Sequence, residues 1–446
     1  MKRALVALLA ALLMAGCSWS QYRGDAAHTG FQPFESKIGA STVSSLREAW
    51  TAQLGPTTSS PVVSGGRLYV GEAGFPRTAV RYSVFDAAGQ TNCSGTPKVC
   101  RPLWQLQSIG GNNPETPAVA NGILYANFDV GFLAAYNVAA CEATPQCGPV
   151  WVADAAGTPV VSGGVVYAGS FGSVGISAYD AAGTTNCADR PGGTRFCEPL
   201  WTTSTDSRPG TVAVAGGVAY ASSLDGTLYA YDAAGQTNCE GTPKVCAPLW
   251  IALTGGGSTP VVSDGRVYMM DDSSRLLRAF DAAGVANCNN STHKYCLPLW
   301  TATVPLSAGD SPFHAPAVAN GRVYVGNAVY DASGTTNCSG TPRVCDPLWR
   351  VAGDGQFPVV ANGVEFGGGA TPPSGDPLRL HAFDATGTSQ CTGRTPIVCA
   401  PLWTVDPGGP TSGSPAIVNG VLYVATRGDP LDFFAPSTLH AYAPAP

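Results

Sequence analysis

The side chains with the most chemistry to offer in this sequence are thiols. Fifteen cysteines are present, and fourteen fall into neighbouring pairs: Cys93/Cys100, Cys141/Cys147, Cys187/Cys197, Cys239/Cys246, Cys288/Cys296, Cys338/Cys345 and Cys391/Cys399. Paired cysteines serve as zinc ligands or as disulfides. Structural zinc sites space their ligands about two to four residues apart. Here five to nine residues intervene, and successive pairs stand roughly fifty residues apart. That spacing predicts local disulfides, which belong to an oxidising compartment. Each closes a short loop and is expected to contribute about 2–3 kcal/mol in the chain-entropy picture. The bridges are read as staples inside single units, with the core lying elsewhere.

The fifteenth thiol, Cys17, suggests different chemistry. Lys2 and Arg3 precede an apolar run from Ala4 to Ala15, and small residues follow. The run is too short to cross a bilayer, and the layout is that of a secretory signal peptide. Met14-Ala15-Gly16-Cys17 resembles a bacterial lipobox, whose cysteine takes the lipid and becomes the mature N-terminus. Lipidation would use the odd thiol. The expectation is a signal peptide over 1–16, a lipidated N-terminal segment over 17–44, and an extracytoplasmic place in a bacterial cell envelope. Membrane contact would be through the anchor only.

Carboxylates and indoles also recur. An aromatic residue followed by Asp appears at Phe85-Asp86, Tyr179-Asp180, Tyr231-Asp232, Phe280-Asp281, Tyr330-Asp331 and Phe383-Asp384, with Tyr136-Asn137 a looser copy. A ring of carboxylates suggests metal, but one Asp per repeat ahead of small residues is read as a turn cap, accepting backbone N–H groups. Asp271-Asp272-Ser273-Ser274 is likewise read as a polar hairpin turn, since calcium loops carry further acidic ligands. Arg23-Gly24-Asp25 is read as part of an N-terminal segment rather than as an adhesion tripeptide. No metal site is expected.

The elements that hold these residues come from a repeat. Trp50, Trp104, Trp151, Trp201, Trp250, Trp300, Trp349 and Trp403 recur at intervals of 54, 47, 50, 49, 50, 49 and 54. After each Trp come two short strand patterns around a Gly turn, as in Thr158 to Tyr167. A segment such as Leu228 to Gly235 follows, then the cysteine pair, then the next Trp. A four-stranded sheet cannot bury both faces alone. Radial packing covers them. The Trp side chains are read as packing between neighbouring sheets.

These residues resemble the PQQ-like propeller repeats, the family of the quinoprotein dehydrogenases and of BamB-type assembly lipoproteins. The resemblance rests on the aromatic-Asp motif with its small residues and Gly, and on the Trp of the strand that follows. Trp19-Ser-Gln-Tyr-Arg23-Gly24-Asp25 to Gly30 is similar to the segment preceding the first blade in that family. It implies an all-β fold over 45–446: a single eight-bladed β-propeller of four-stranded antiparallel blades. Ring closure would come from an N-terminal outer strand, with Glu48 to Gln53 pairing antiparallel to Leu439 to Tyr442. This chain departs from the family by lengthening seven Gly-to-Trp connections with the cysteine excursion. Unit six is expected to be irregular, because Arg322 to Gly334 leaves little room for a second and third strand.

In that fold the inner strand begins near the Pro of each unit. Two positions earlier stand Ser59, Glu115, Gly157, Gly210, Ser258, His314, Gln356 and Gly413. Five are small, as a crowded axis requires. Glu115, His314 and Gln356 are the exceptions and the candidate ligand-binding residues of a channel mouth, with Glu115 facing His314 and Gln356 beside His314.

Composition limits the function classes. The chain of 446 residues is only 12% charged, about half of an average domain. Without Lys2 and Arg3 it carries 22 basic against 30 acidic side chains, a balance of −8. Nucleic-acid binding needs phosphate neutralisation and is excluded. The resemblance raises the question of quinone chemistry. Quinoprotein dehydrogenases of the family use a Trp floor, calcium ligands, an Asp base and usually adjacent cysteines. Here eight Trp are assigned to outer strands and Trp19 to the N-terminal segment, and no two cysteines adjoin. No cofactor is expected, PQQ included. The expected function is a non-enzymatic envelope binding or scaffold lipoprotein. Its partner would be an envelope protein or a small polar ligand, bound on a propeller face or at the channel mouth. The alternative is a PQQ-dependent oxidoreductase of the envelope.

Overall fold

Val218–Ser223 and Thr227–Asp232 show why the chain forms strands. Both are rich in Tyr, Ala and branched side chains, and both bury residues on each of their faces. They pair antiparallel from Val218↔Asp232 to Ser222↔Leu228, flanked by Pro209–Ala215 on the inside and Trp250–Leu253 on the outside. A computed structural model describes residues 18–445 apart from 74–78, 108–112, 129–130, 145–146, 171–174, 204–208, 257, 272, 291–293, 306–314, 354–355, 369–378, 394–395, 429–431 and 433–434.

Among the described residues this arrangement occurs eight times, each unit running from an inner to an outer strand. The expected pairing of the chain ends is present. Leu46–Leu54 lies antiparallel to Ser437–Pro444, so unit 8 takes its outer strand from the start of the propeller and its other three from the end. The outer strand of unit 2 continues directly into the inner strand of unit 3 as Trp151–Ser162. Unit 6 is irregular as expected. Its second and third strands, Arg322–Val325 and Ala328–Asp331, have four residues each and meet at Val325↔Ala328 across a two-residue turn.

The apolar cores lie between units. Val160, Tyr167, Ile176 and Ala178 of unit 3 form one buried cluster with Val212, Val214, Ala219 and Tyr231 of unit 4, around Trp201. Each motif Asp holds its turn: Asp232 accepts from the amides of Ala234, Gln236 and Thr237 at 3.1, 2.9 and 2.7 Å. These bonds favour the carboxylate and keep its pKa below the ordinary value, against a desolvation cost. The turn brings Gly235 (φ +62°) onto the Trp201 ring of the preceding unit, where a Cβ would collide with Cδ1. Trp201 Nε1 and Tyr167 Oη both donate to the Ala233 carbonyl, at 3.2 and 3.0 Å.

All seven expected disulfides are present: Cys93–Cys100, Cys141–Cys147, Cys187–Cys197, Cys239–Cys246, Cys288–Cys296, Cys338–Cys345 and Cys391–Cys399. Their expected role as staples outside the core needs correction. Six second cysteines are buried within the apolar cluster around the preceding unit's indole. Cys100 joins the cluster of Trp50, Cys197 that of Trp151, Cys246 that of Trp201, Cys296 that of Trp250, Cys345 that of Trp300 and Cys399 that of Trp349. Unit 2 reverses the order: Cys141 is buried in the cluster of Trp104, and Cys147 is half-buried against it.

The physical reason is strand addition across the seam. Val245–Cys246, from unit 4, runs parallel to the outer strand of unit 3 at Thr202↔Val245 and Thr203↔Cys246. The same lean brings Val99 to Thr51, Phe196 to Val152, Val344 to Thr301 and Val398 to Arg350. It carries the adjoining cysteine under the neighbouring sheet. The excursion of unit 2 also departs from the expected all-β fold. There the chain forms the helix Val138–Ala143, capped by Asn137 accepting from the Ala140 amide at 3.0 Å. Asn137 stands where other units carry the motif Asp, and the alanine-rich sequence after it favours helix.

Glu365 is the one charged residue at its strand position. Leu68, Leu124, Val166, Ala219, Val267, Val323 and Leu422 occupy that place elsewhere. It is 1% exposed, and burial pushes its pKa up to about 8. Folding therefore favours the neutral acid, and the penalty grows as pH rises from the unfolded value towards 8. Glu365→Leu is expected to raise stability by about 2–3 kcal/mol near pH 7 and by little near pH 4, read from urea unfolding at both values. Gly235→Ala is expected to cost about 1–3 kcal/mol. Gly164→Ala, also at positive φ but with nothing near its Cβ, is expected to cost about 1 kcal/mol. Equal losses would mean that the glycine–indole contact contributes nothing.

Candidate functional site

Inner strands surround the axis, and their polar edges must be satisfied by something. Among the described residues the chain's own N-terminal segment does this. Trp19 exchanges backbone hydrogen bonds with Val63 of unit 1, both 2.8 Å. The Ser20 carbonyl accepts from Val119 of unit 2 at 2.7 Å. The Gln21 amide bonds Val161 of unit 3 twice, donating at 3.3 Å and accepting at 2.9 Å. Carbonyls of Ala26, Ala27, Thr29 and Gly30 accept from Val214, Val262, Val318 and Val360 of units 4 to 7, at 2.7, 2.9, 2.9 and 2.8 Å. Gln32 Nε2 donates to Ile417 of unit 8 at 3.2 Å. The eight partners occupy the same place in their units. Among the described residues one segment thus bonds the inner strand of each of the eight units.

Local sequence explains the fit. Gly24, Ala26, Ala27 and Gly30 leave little side chain in a crowded space, and a Cβ at Gly30 would crowd Arg23 Nη2. Asp25 folds the loop by accepting from the Thr29 amide at 3.0 Å and from the Thr29 hydroxyl. Burial raises the Asp25 pKa, with the Thr29 bonds and Arg23 opposing.

Arg23 is fully buried. Its Nε donates to the His28 carbonyl at 3.2 Å, and Nη2 donates to the carbonyls of Pro316 and Pro358 at 2.7 and 3.0 Å. It therefore joins the segment to units 6 and 7. Burial lowers its pKa. His28 is also fully buried, and its pKa falls to about 3, first through burial and then through the Arg23 cation. The adhesion reading of Arg23-Gly24-Asp25 fails physically, since a side chain with no exposure cannot be displayed to a receptor.

The expected mouth residues divide. Glu115 is half-buried, and Oε2 accepts from Thr158 Oγ1 of unit 3 at 2.8 Å. Gln356 begins the inner strand Gln356–Ala361 of unit 7 and is 2% exposed, and neither amide atom has a hydrogen-bond partner among the described residues. It sits two residues before Pro358, whose carbonyl accepts from Arg23. His314 lies outside the described residues. No described contact joins Glu115 to Gln356. The sequence reading missed Arg23 and His28, although a run of small residues around two basic ones was a legible mark of a chain threading a narrow space.

Residues 37–239 match the family described as outer membrane protein assembly factor BamB. A quinohemoprotein alcohol dehydrogenase from Pseudomonas putida HK5 aligns over 96% of this chain and 80% of its own, at 14% identity and a TM-score of 0.59. A europium-containing methanol dehydrogenase aligns over 96% and 98%, at 14% identity and 0.58. BamB from Moraxella catarrhalis aligns over 89% and 99%, at 13% identity and 0.53. At these identities the likeness establishes the β-propeller fold alone. No curated protein matches the chain.

His28 yields a sign-definite expectation. Its folded pKa lies below the ordinary 6.5, so its contribution to stability is whole above about pH 6.5. That contribution is lost as pH falls towards 3, because the unfolded chain binds a proton that the folded one refuses. His28 has φ +59°, which Asn tolerates. His28→Asn is expected to gain on the parent by about 1 kcal/mol per pH unit between pH 6 and 4. A constant difference in unfolding free energy would remove His28 from the account.

Proposed function

We propose that this protein is a non-enzymatic scaffold of the bacterial cell envelope, a closed eight-bladed propeller lipid-anchored through Cys17. It would bind an envelope protein or a small polar ligand at the mouth edged by Glu115, His314 and Gln356. One observation carries the reading: the repeated aromatic, acidic and axial groups are used in building the propeller. Motif Asp carboxylates hold turns, the N-terminal segment occupies the axis, and the paired ends of unit 8 support closure. The match over residues 37–239 to BamB-type assembly proteins supports a partner-binding role in the envelope.

The likeness to two dehydrogenases motivates the second reading, a quinoprotein oxidoreductase. The residues fit a quinone poorly. All nine Trp are between 1% and 8% exposed, eight at outer strands and Trp19 bonded to Val63, so none is left as a floor beneath a flat ring.

Crosslinking in native envelopes, with the captured partners identified, tests the scaffold reading. The expected result is one envelope protein captured reproducibly, and lost when the half-buried Glu115 is replaced by Ala in a protein that still folds. Dye-linked alcohol oxidation appearing on addition of PQQ and calcium would overturn it. Labelling with a radioactive fatty acid, abolished by Cys17→Ser, tests the anchor separately.

A further inference from the structure

The seams between units repeat one construction, so a seam with different charge is informative. Two sequence positions recur at these seams: the first residue of the second strand, and the residue two places before the second cysteine of the next unit's excursion. They are held by Val165 and Lys244, Val218 and Lys294, Val421 and Lys98, and Arg322 and Ile397 in four seams. Arg67 is neutralised by Glu142 at 2.6 Å. Between units 5 and 6 both positions are arginine, Arg266 and Arg343, and there the surface opens into a pocket of 390 Å3. Trp300, Asn287, Ser333 and Thr341 also line it, and among the described residues no carboxylate does.

Neither arginine forms an ion pair with a described residue. Arg266 is half-buried. Among the described residues it donates Nη1 to the Asp264 carbonyl, at 3.3 Å, and its Nε has no hydrogen-bond partner. Arg343 donates Nη1 to the Gly334 carbonyl at 2.8 Å. The neighbouring carboxylates are turned into their own loops. Asp281 accepts from the amides of Ala283, Val285 and Ala286, and Asp331 from those of Ser333, Thr335 and Thr336.

We propose that this pocket binds a phosphate-type oxyanion, either free or carried on a lipid headgroup. Guanidinium forks match tetrahedral oxyanions in a bidentate way, so the two arginines carry the recognition; Ser333 Oγ already donates to Asp331 and Asn287 Nδ2 to the Pro298 carbonyl. The volume lies within the range of small-ligand sites. The inference is independent of the scaffold reading, since it concerns a seam and not the axial mouth.

Calorimetric titration of the mature full-length chain tests it, with inorganic phosphate in one arm and micelle-free dihexanoyl phosphatidylglycerol in the other. One saturable site is expected. Arg266→Gln and Arg343→Gln should each weaken it about tenfold or more while keeping the parental melting temperature. Lys244→Gln, at the corresponding place between units 3 and 4, should bind as the parent does. Binding in both arms supports a free oxyanion, and binding of the lipid alone supports a headgroup. Failure of both probes to bind, or undiminished affinity in both arginine variants, overturns the proposal.

Discussion

The propeller depends on the seating of one unit's indole beneath the next unit's glycine. Four indoles, Trp151, Trp201, Trp250 and Trp300, donate Nε1 to the alanine carbonyl of the following unit's turn, at 3.2–3.3 Å. In the same four seams a tyrosine from the indole's own unit donates to that carbonyl at 3.0 Å. The contact forces several choices. The turn must end in glycine, the Asp must hold the turn rigid, and the next residues must leave the sheet. Hydrophobic burial supplies most of the energy, but the shared carbonyl and the close glycine fix how one sheet meets the next.

The disulfide excursions extend this logic. A strand added to the outer edge of the preceding sheet covers backbone groups that would otherwise form an exposed edge. One cysteine of each pair is buried, between 0% and 4% exposed: Cys141 in unit 2, and Cys100, Cys197, Cys246, Cys296, Cys345 and Cys399 elsewhere. The bridge to its partner keeps the short hairpin formed. Covalent bonding within one unit therefore stabilises contact between two. Repeat proteins gain stability largely at such nearest-neighbour interfaces, and here the sequence places a clasp at the outer rim of the interface.

The axis obeys a different constraint. Nearest-neighbour contacts say nothing about the centre, where eight strands present backbone groups to one narrow space. Residues 19–32 solve that problem with backbone hydrogen bonds and two glutamine amides. Arg23 ties the strand starts of units 6 and 7 to the same segment. The cost is a buried guanidinium and a buried neutral imidazole, offset in part by three carbonyl oxygens that accept from Nε and Nη2 of the cation.

The sequence alone determined what is local. Nearest-neighbour cysteines paired because a five- to nine-residue gap closes cheaply. The motif Asp capped its turn because its acceptors lie beside amides a few residues on. The periodic Trp predicted eight units, and the unmatched first outer strand and last inner strands predicted that Glu48 to Gln53 meets Leu439 to Tyr442, a pairing found within Leu46–Leu54 and Ser437–Pro444. Tertiary structure decided what joins distant residues. No local pattern says that Val245 leans onto Thr202 and carries Cys246 beneath Trp201, that Glu115 meets Thr158, or that Arg23 reaches Pro316 and Pro358. Nor does the sequence show that Arg266 and Arg343, of different units, border one pocket. Short-range order follows from backbone and turn chemistry. Contacts across a seam or the axis exist only once the packed sheets have brought their edges together.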